Sequence, residues 1–67
     1  MLLLSLDKKV NLTCVETDLM ASGTIVRILG NRVDVELDKG GIIVSLFMKR
    51  AGFYVGSQSG LEFVMKI

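Results

Sequence analysis

Residues 23–47, GTIVRILGNRVDVELDKGGIIVSLF, decide the fold. Gly30-Asn31 sits between two runs of β-branched residues, and both residue types accept the positive φ that a two-residue hairpin loop requires. Pairing outward from that loop sets Leu29 opposite Arg32, Ile28 opposite Val33, Arg27 opposite Asp34 and Val26 opposite Val35. Side chains alternate across a strand. One face of the hairpin therefore reads Thr24, Val26, Ile28 with Val33, Val35, Leu37, and it is almost wholly apolar. The reverse reads Ile25, Arg27, Leu29 with Arg32, Asp34, Glu36. The next turn, Asp38-Lys39-Gly40-Gly41, carries the same apolar face onward by pairing Leu37 with Ile42, Val35 with Val44 and Val33 with Leu46.

Two further turns extend the meander. A loop over Lys49-Arg50-Ala51-Gly52 pairs Met48 with Phe53 and Leu46 with Val55. A loop over Gly56-Ser57-Gln58-Ser59-Gly60 then pairs Val55 with Leu61 and Phe53 with Phe63. The segment KVNLTCVE adds an earlier alternating row, Val10, Leu12, Cys14. No apolar i, i+3, i+4, i+7 pattern runs for a helical length, and there is no proline. The spacing predicts strands near 10–17, 24–29, 32–38, 41–48, 53–56 and 60–66. A twisted sheet of six antiparallel strands buries its common face and hides its edges by closing. The expected architecture is all-β, a small antiparallel six-stranded barrel in which residues 1–67 form one domain. Its expected core is Leu12, Cys14, Val26, Ile28, Val33, Val35, Leu37, Ile42, Val44, Leu46, Phe53, Val55, Leu61 and Phe63.

Composition narrows the function. The chain has 67 residues, of which 51% are hydrophobic. A domain of this size buries only about 60% of the surface its unfolded chain exposes, so an apolar share that high favours a shared interface. Cys14 is the only cysteine and there is no histidine. That rules out an internal disulfide and the common zinc sets, and it suits a reducing, cytoplasmic setting. Cys14 itself reads as a small buried apolar residue. The opening MLLLSL lacks a basic lead and its apolar run stops at Asp7-Lys8-Lys9, so it does not read as a signal core or a span. The expected connections are too short to enclose a cleft, and no histidine is present to act as a base. The chain is expected not to be an enzyme and to use no cofactor or metal.

Two sets of residues remain as candidate sites. The first is the outer face, where Ile25, Leu29, Ile43, Phe47 and Tyr54 fall opposite the core row, with Phe47 across from Tyr54. A contiguous apolar cluster of that kind marks an interface, unless Met1 to Leu6 fold over it within the same chain. The second set is basic. Lys8, Lys9, Lys49 and Arg50 lie at strand ends or turns, where such residues are commonly just solvated. With Arg27 and Arg32 they form a speculative path for an anionic ligand, and Phe47 or Tyr54 would stack on a base. The net charge of +1 gives no strong basic patch. Asp34, Glu36 and Asp38 alternate on one face as the beginnings of a hard-cation site would, but Arg27 opposite Asp34 makes them read as a solvated face with a cross-strand ion pair.

The stretches GTIVRILGNRVDVEL, GGIIVSLFM and the closing GFYVGSQSGLEFV together resemble the strand rhythm of PilZ domains, bacterial six-stranded barrels that typically bind cyclic di-GMP. The likeness covers roughly residues 10–65. PilZ receptors usually carry Arg-x-x-x-Arg before the barrel, whereas this chain has no arginine before Arg27. They also carry Asp/Asn-x-Ser-x-x-Gly, and the nearest window, Asp18 to Gly23, has its serine too late to fit. The resemblance therefore carries over no binding residue. The central stretch is also similar to the N-terminal barrel of the beta subunit of F-type ATP synthases and to Src-homology-type barrels of translation and transcription factors. The expectation drawn from all of this is a bacterial or phage interaction module, PilZ-like, that binds a protein partner or forms a homo-oligomer. The alternative is a small barrel that binds a nucleic acid or a cyclic dinucleotide.

Overall fold

The computed structural model describes residues 5–67, and all its regular elements are strands. They are β1 (Lys9–Cys14), β2 (Met20–Leu29), β3 (Arg32–Leu37), β4 (Ile43–Arg50), β5 (Phe53–Gln58) and β6 (Leu61–Lys66). Each strand pairs antiparallel with the next, and β1 pairs with β6 to close a six-stranded barrel. The expected fold class is thus the observed one.

The central hairpins hold the register read from their turns. Leu29 pairs with Arg32, Ile28 with Val33 and Arg27 with Asp34. Val35 lies opposite Val44 and Val33 opposite Leu46. Gly30 takes a φ of 56° while Asn31 stays on the negative side, the pattern of a type II′ turn, in which only the first central residue needs positive φ.

Two bulges alter the faces. Between Arg27 and Ile25 the β2–β3 register shifts, so that Ile25 rather than Val26 lies opposite Val35. The extra residue is Val26. It turns outward and is 38% exposed, while Ile25 is fully buried. A bulge bends its strand and sharpens its twist, and β2 needs both, because its first half pairs with β1 and its second with β3. Gly23 lies where those halves overlap. A Cβ there would stand 2.6 Å from Val35 Cγ1 and 2.9 Å from the Glu36 carbonyl oxygen, so only glycine lets β2 pass this close to β3.

The second bulge, at Lys49, shifts β4–β5 so that Met48 meets Tyr54 and Phe47 meets Val55. The last hairpin is also tighter than the expected five-residue loop. Ser59 and Gly60 have φ of 56° and 78° and form a two-residue turn. β5 then runs on to Gln58, and the pairs become Gly56 with Phe63 and Tyr54 with Met65. Because side chains alternate with a period of two, each one-residue slip exchanges inside for outside. Tyr54 therefore enters the core, and Met65, on the same face of β6 as Phe63, joins it there with Leu12, Cys14, Ile25, Val33, Val35, Val44, Leu46 and Phe63. Of the expected core, Val26, Ile42 and Leu61 are exposed, Phe53 and Val55 are half-buried on the outer side, and Ile28 and Leu37 pack against the core's edge.

Candidate interaction surface

Following registered pairs around the barrel traces its outer surface. Leu29 lies beside Arg32, Arg32 beside Phe47, Phe47 beside Val55, Val55 beside Val64, Val64 beside Thr13, and Thr13 beside Met20. The row leaves β2 at Leu29 and returns to it at Met20, the stagger that tilts the strands of a closed barrel. Five of its seven members are apolar. Phe47 is 52% exposed, Leu29 48% and Met20 67%. Ile43, on the same face of β4 as Phe47, is 50% exposed.

The structure therefore divides the five residues expected on the outer face. Leu29, Ile43 and Phe47 stand there together on the β2–β3–β4 side. Ile25 and Tyr54 do not. Both lie in the core, at 0% and 6% exposure, because the bulge at Val26 inverts one and the bulge at Lys49 inverts the other. Val55 takes the place beside Phe47 that was expected for Tyr54. Of the segment expected as a covering arm, residues 1–4 lie outside the described residues. Leu6, at its end, is 60% exposed.

Two charges on the central strand of this face match each other. Arg32 donates from Nε and Nη2 to the two carboxylate oxygens of Asp34 at 3.1 and 3.0 Å, a bidentate fork along β3. This replaces the cross-strand pair with Arg27 that the register suggested. Residues two apart on a strand share a face, and the fork suits the planar guanidinium. Asp34 is only 6% exposed. The hydrogen bonds from Arg32 hold its carboxyl below the usual aspartate range against the opposing effect of burial, and Ser45 and Arg27 add to the lowering. Arg32 is raised in turn, first by its hydrogen bonds to Asp34. The fork leaves Leu29 and Phe47 flanking a neutralised pair. Asp38 accepts a bond from Lys9 Nζ at 2.7 Å instead, so Asp34 and Asp38 serve different partners. No group of three metal-ligating side chains converges among the described residues.

Two grooves flank the apolar row. One, of about 670 Å³, runs over β4–β5–β6 beside Phe47, Val55, Ser57 and Lys49. The other, of about 860 Å³, lies over the β1–β6 closure and is lined by Lys8, Lys9, Asn11, Val64, Lys66 and Phe53 among others. The four cations expected to act together are thus divided. Lys8 and Lys9 line the larger groove, Lys49 lines the smaller, and Arg50 lies over the Phe53 ring at 4.7 Å from its centroid. Lys66 and Phe53, which sequence reasoning did not assign to a basic site, join Lys8 and Lys9. Their cross-strand pairing is the signal that finds them, and it appears only once the Ser59-Gly60 turn fixes the last register.

No family model, curated protein or solved structure matches this chain. No helix among the described residues is long and apolar enough to cross a membrane.

Proposed function

We propose that this barrel is a small non-catalytic interaction module, PilZ-like in architecture, that works through protein–protein contact or self-association on the outer face of β2–β3–β4. One observation carries the reading. Phe47, a large aromatic side chain, is half-exposed at the middle of a continuous outward row that also holds Leu29 and Val55, with Ile43 farther along its own strand. An aromatic anchor ringed by apolar and charge-neutralised neighbours is the composition of an interface centre, and scattered surface hydrophobes do not line up in this way. The buried, unpaired Cys14 accords with a reducing, cytoplasmic setting. The alternative, a nucleic acid or cyclic dinucleotide held by Lys8, Lys9, Lys49 and Arg50, has less support, because Lys8 and Lys9 line one groove and Lys49 another, and Tyr54 is buried.

The mass in solution, measured by light scattering with and without the Phe47→Glu substitution, tests the reading. Self-association that Phe47→Glu abolishes supports it, as does a bound partner released by the same change. A strict monomer whose interactions are indifferent to Phe47→Glu overturns it.

A further inference from the structure

The barrel closes unevenly. β1 stays in register with β2 from Thr13 back to Lys9, yet with β6 it pairs only at Thr13 and Cys14, opposite Val64 and Phe63. In an antiparallel ladder, successive residues turn their N–H and C=O groups to alternate neighbours. The Cys14 N–H donates to the Leu19 carbonyl on the β2 side at 2.8 Å, and the Val15 N–H donates to the Glu62 carbonyl on the β6 side at 2.8 Å. By that alternation Thr13, Asn11 and Lys9 direct their main chain toward β6. On β6 the Ile67 N–H donates to Gly52 on the β5 side at 2.8 Å, so Lys66 directs its main chain toward β1. Asn11 and Lys9 on one side and Lys66 on the other thus face each other across a stretch where the two strands no longer pair. The larger groove occupies that stretch.

We propose that this seam takes an extended, acidic segment of a partner protein as an added strand on the Lys9–Asn11 edge of β1. Main-chain groups that point into a groove offer a strand the hydrogen bonds from which β-augmentation draws its affinity. The open stretch of β1 accommodates about four residues of extended chain at about 3.3 Å each. Its walls select the side chains. Phe53, Val64 and Ile67 supply apolar surface, and Lys8, Lys9 and Lys66 supply positive charge against Asp18 alone. The Lys9–Asp38 pair is exposed on both partners, and such a pair exchanges at little cost. Lysines at an open edge discourage pairing with a second copy of the same edge, which would set lysine against lysine. An acidic strand turns that repulsion into attraction. A polynucleotide is disfavoured, because one face of the Phe53 ring is taken by Arg50 and a phosphodiester chain offers no alternating donors and acceptors to the β1 edge. The site is separate from the Phe47 surface, and neither reading depends on the other.

The test is an amide NMR titration of the intact chain with a blocked peptide of about six residues alternating glutamate and valine. Shifts centred on Lys9, Asn11 and Lys66 are expected. N-methylation of every second peptide residue should abolish binding in one phase and spare it in the other, because only one phase points its N–H groups at β1. Asn11→Pro removes a seam-facing N–H while leaving the β1–β2 bonds, and it should weaken binding by about tenfold or more. If that variant does not fold, Lys66→Glu serves in its place. It should weaken the acidic peptide and admit one that alternates lysine with valine. Phe47→Glu should titrate like the parent, so failure of one proposal is distinguishable from failure of the other. The proposal is overturned by seam amides that stay unmoved up to about 1 mM peptide. Equal binding of both N-methylated phases, or tighter binding of single-stranded RNA of equal charge at the seam, overturns it as well.

Discussion

The β3–β4 ladder and the β1–β6 closure are both antiparallel pairings within one small barrel, yet they hold it together differently. β3 and β4 are in register over five residues and present Val33, Val35, Val44 and Leu46, none more than 1% exposed, to the core. β1 and β6 share two registered residues and then diverge, with half-buried Val10 at the open end. The first pairing joins neighbours through a five-residue turn, so little chain entropy opposes it. The second brings together segments from the two ends of the chain, and the loop-closure cost of such contacts is met only after the rest has formed. The rigid ladder therefore positions the Phe47 surface, and the weak closure is the part free to meet another strand.

The largest effect should come from the tightly packed side. A Cβ on Gly56 would meet the Ser45 main-chain oxygen, and it would stand 2.9 Å from the Ser45 carbonyl carbon. Backbone cannot yield as a side-chain tip does. Gly56→Val should therefore leave no folded protein, which circular dichroism would show as loss of the strand signal. Leu46→Ala, a cavity in the centre of the same side, should cost about 2–5 kcal/mol by urea unfolding. Val10→Ala at the seam should cost about 1 kcal/mol. Equal costs for the two would mean that the closure is as well packed as the ladder. Hydrogen exchange sharpens the contrast. The Val15 and Thr13 amides at the β1–β6 junction should exchange through a local opening ahead of the amides of Val33 and Val44, which open only with the whole domain. Simultaneous exchange of the two groups would contradict the asymmetry.

How much of this was legible follows from where the chain states its own register. Gly30-Asn31 and Asp38 to Gly41 are strong turn signals, and the pairs they anchor, Ile28 with Val33 and Val35 with Val44, stand as read. Val26 was not legible as a bulge, because Ile25 and Val26 are both β-branched and either satisfies the alternation. The last hairpin was legible in principle. Ser59-Gly60 is a good two-residue turn, and pairing outward from it sets Gly56 against Phe63, an aromatic over a glycine, and buries Tyr54. The loop read over residues 49–52 sets Tyr54 opposite Phe47 and so outward, and reading residues 56–60 as one loop hides the pairing that corrects it. Of the outer surface, Leu29, Ile43 and Phe47 could be read because they lie beyond the reach of both slips. The seam could not be read, since periodicity within strands says nothing about how far two strands distant in sequence stay paired.

The smallest expected effects are electrostatic, and they also separate the two regions. Asp34 on β3 titrates below the usual aspartate value of about 3.9 because Arg32 donates two hydrogen bonds to its carboxylate. A carboxyl whose pKa is lower folded than unfolded contributes stability that is complete above the unfolded value and fades as pH falls through the folded one. The Asp34 contribution should therefore be whole at neutral pH and begin to fade only below about pH 4. Glu16, beyond the end of β1, is lowered for a related reason. Its Oε1 accepts the Glu62 N–H at 3.0 Å, which ties the closed end of the seam to β6. Its window has the same sign, but the group is fully exposed, so water competes for the bond and screens the charge. Urea midpoints measured from pH 7 to pH 3 should show Asp34→Asn less stable than the parent at neutral pH, with the gap closing as the medium turns acid. Glu16→Gln, which keeps the accepting oxygen and loses only the charge, should track the parent closely. A gap for Asp34→Asn that stays constant across the range would mean that the fork contributes shape to the outer face and no charge-dependent stability. A larger gap for Glu16→Gln than for Asp34→Asn would reverse the ranking of the two regions, making the closure rather than the ladder the side on which charge matters.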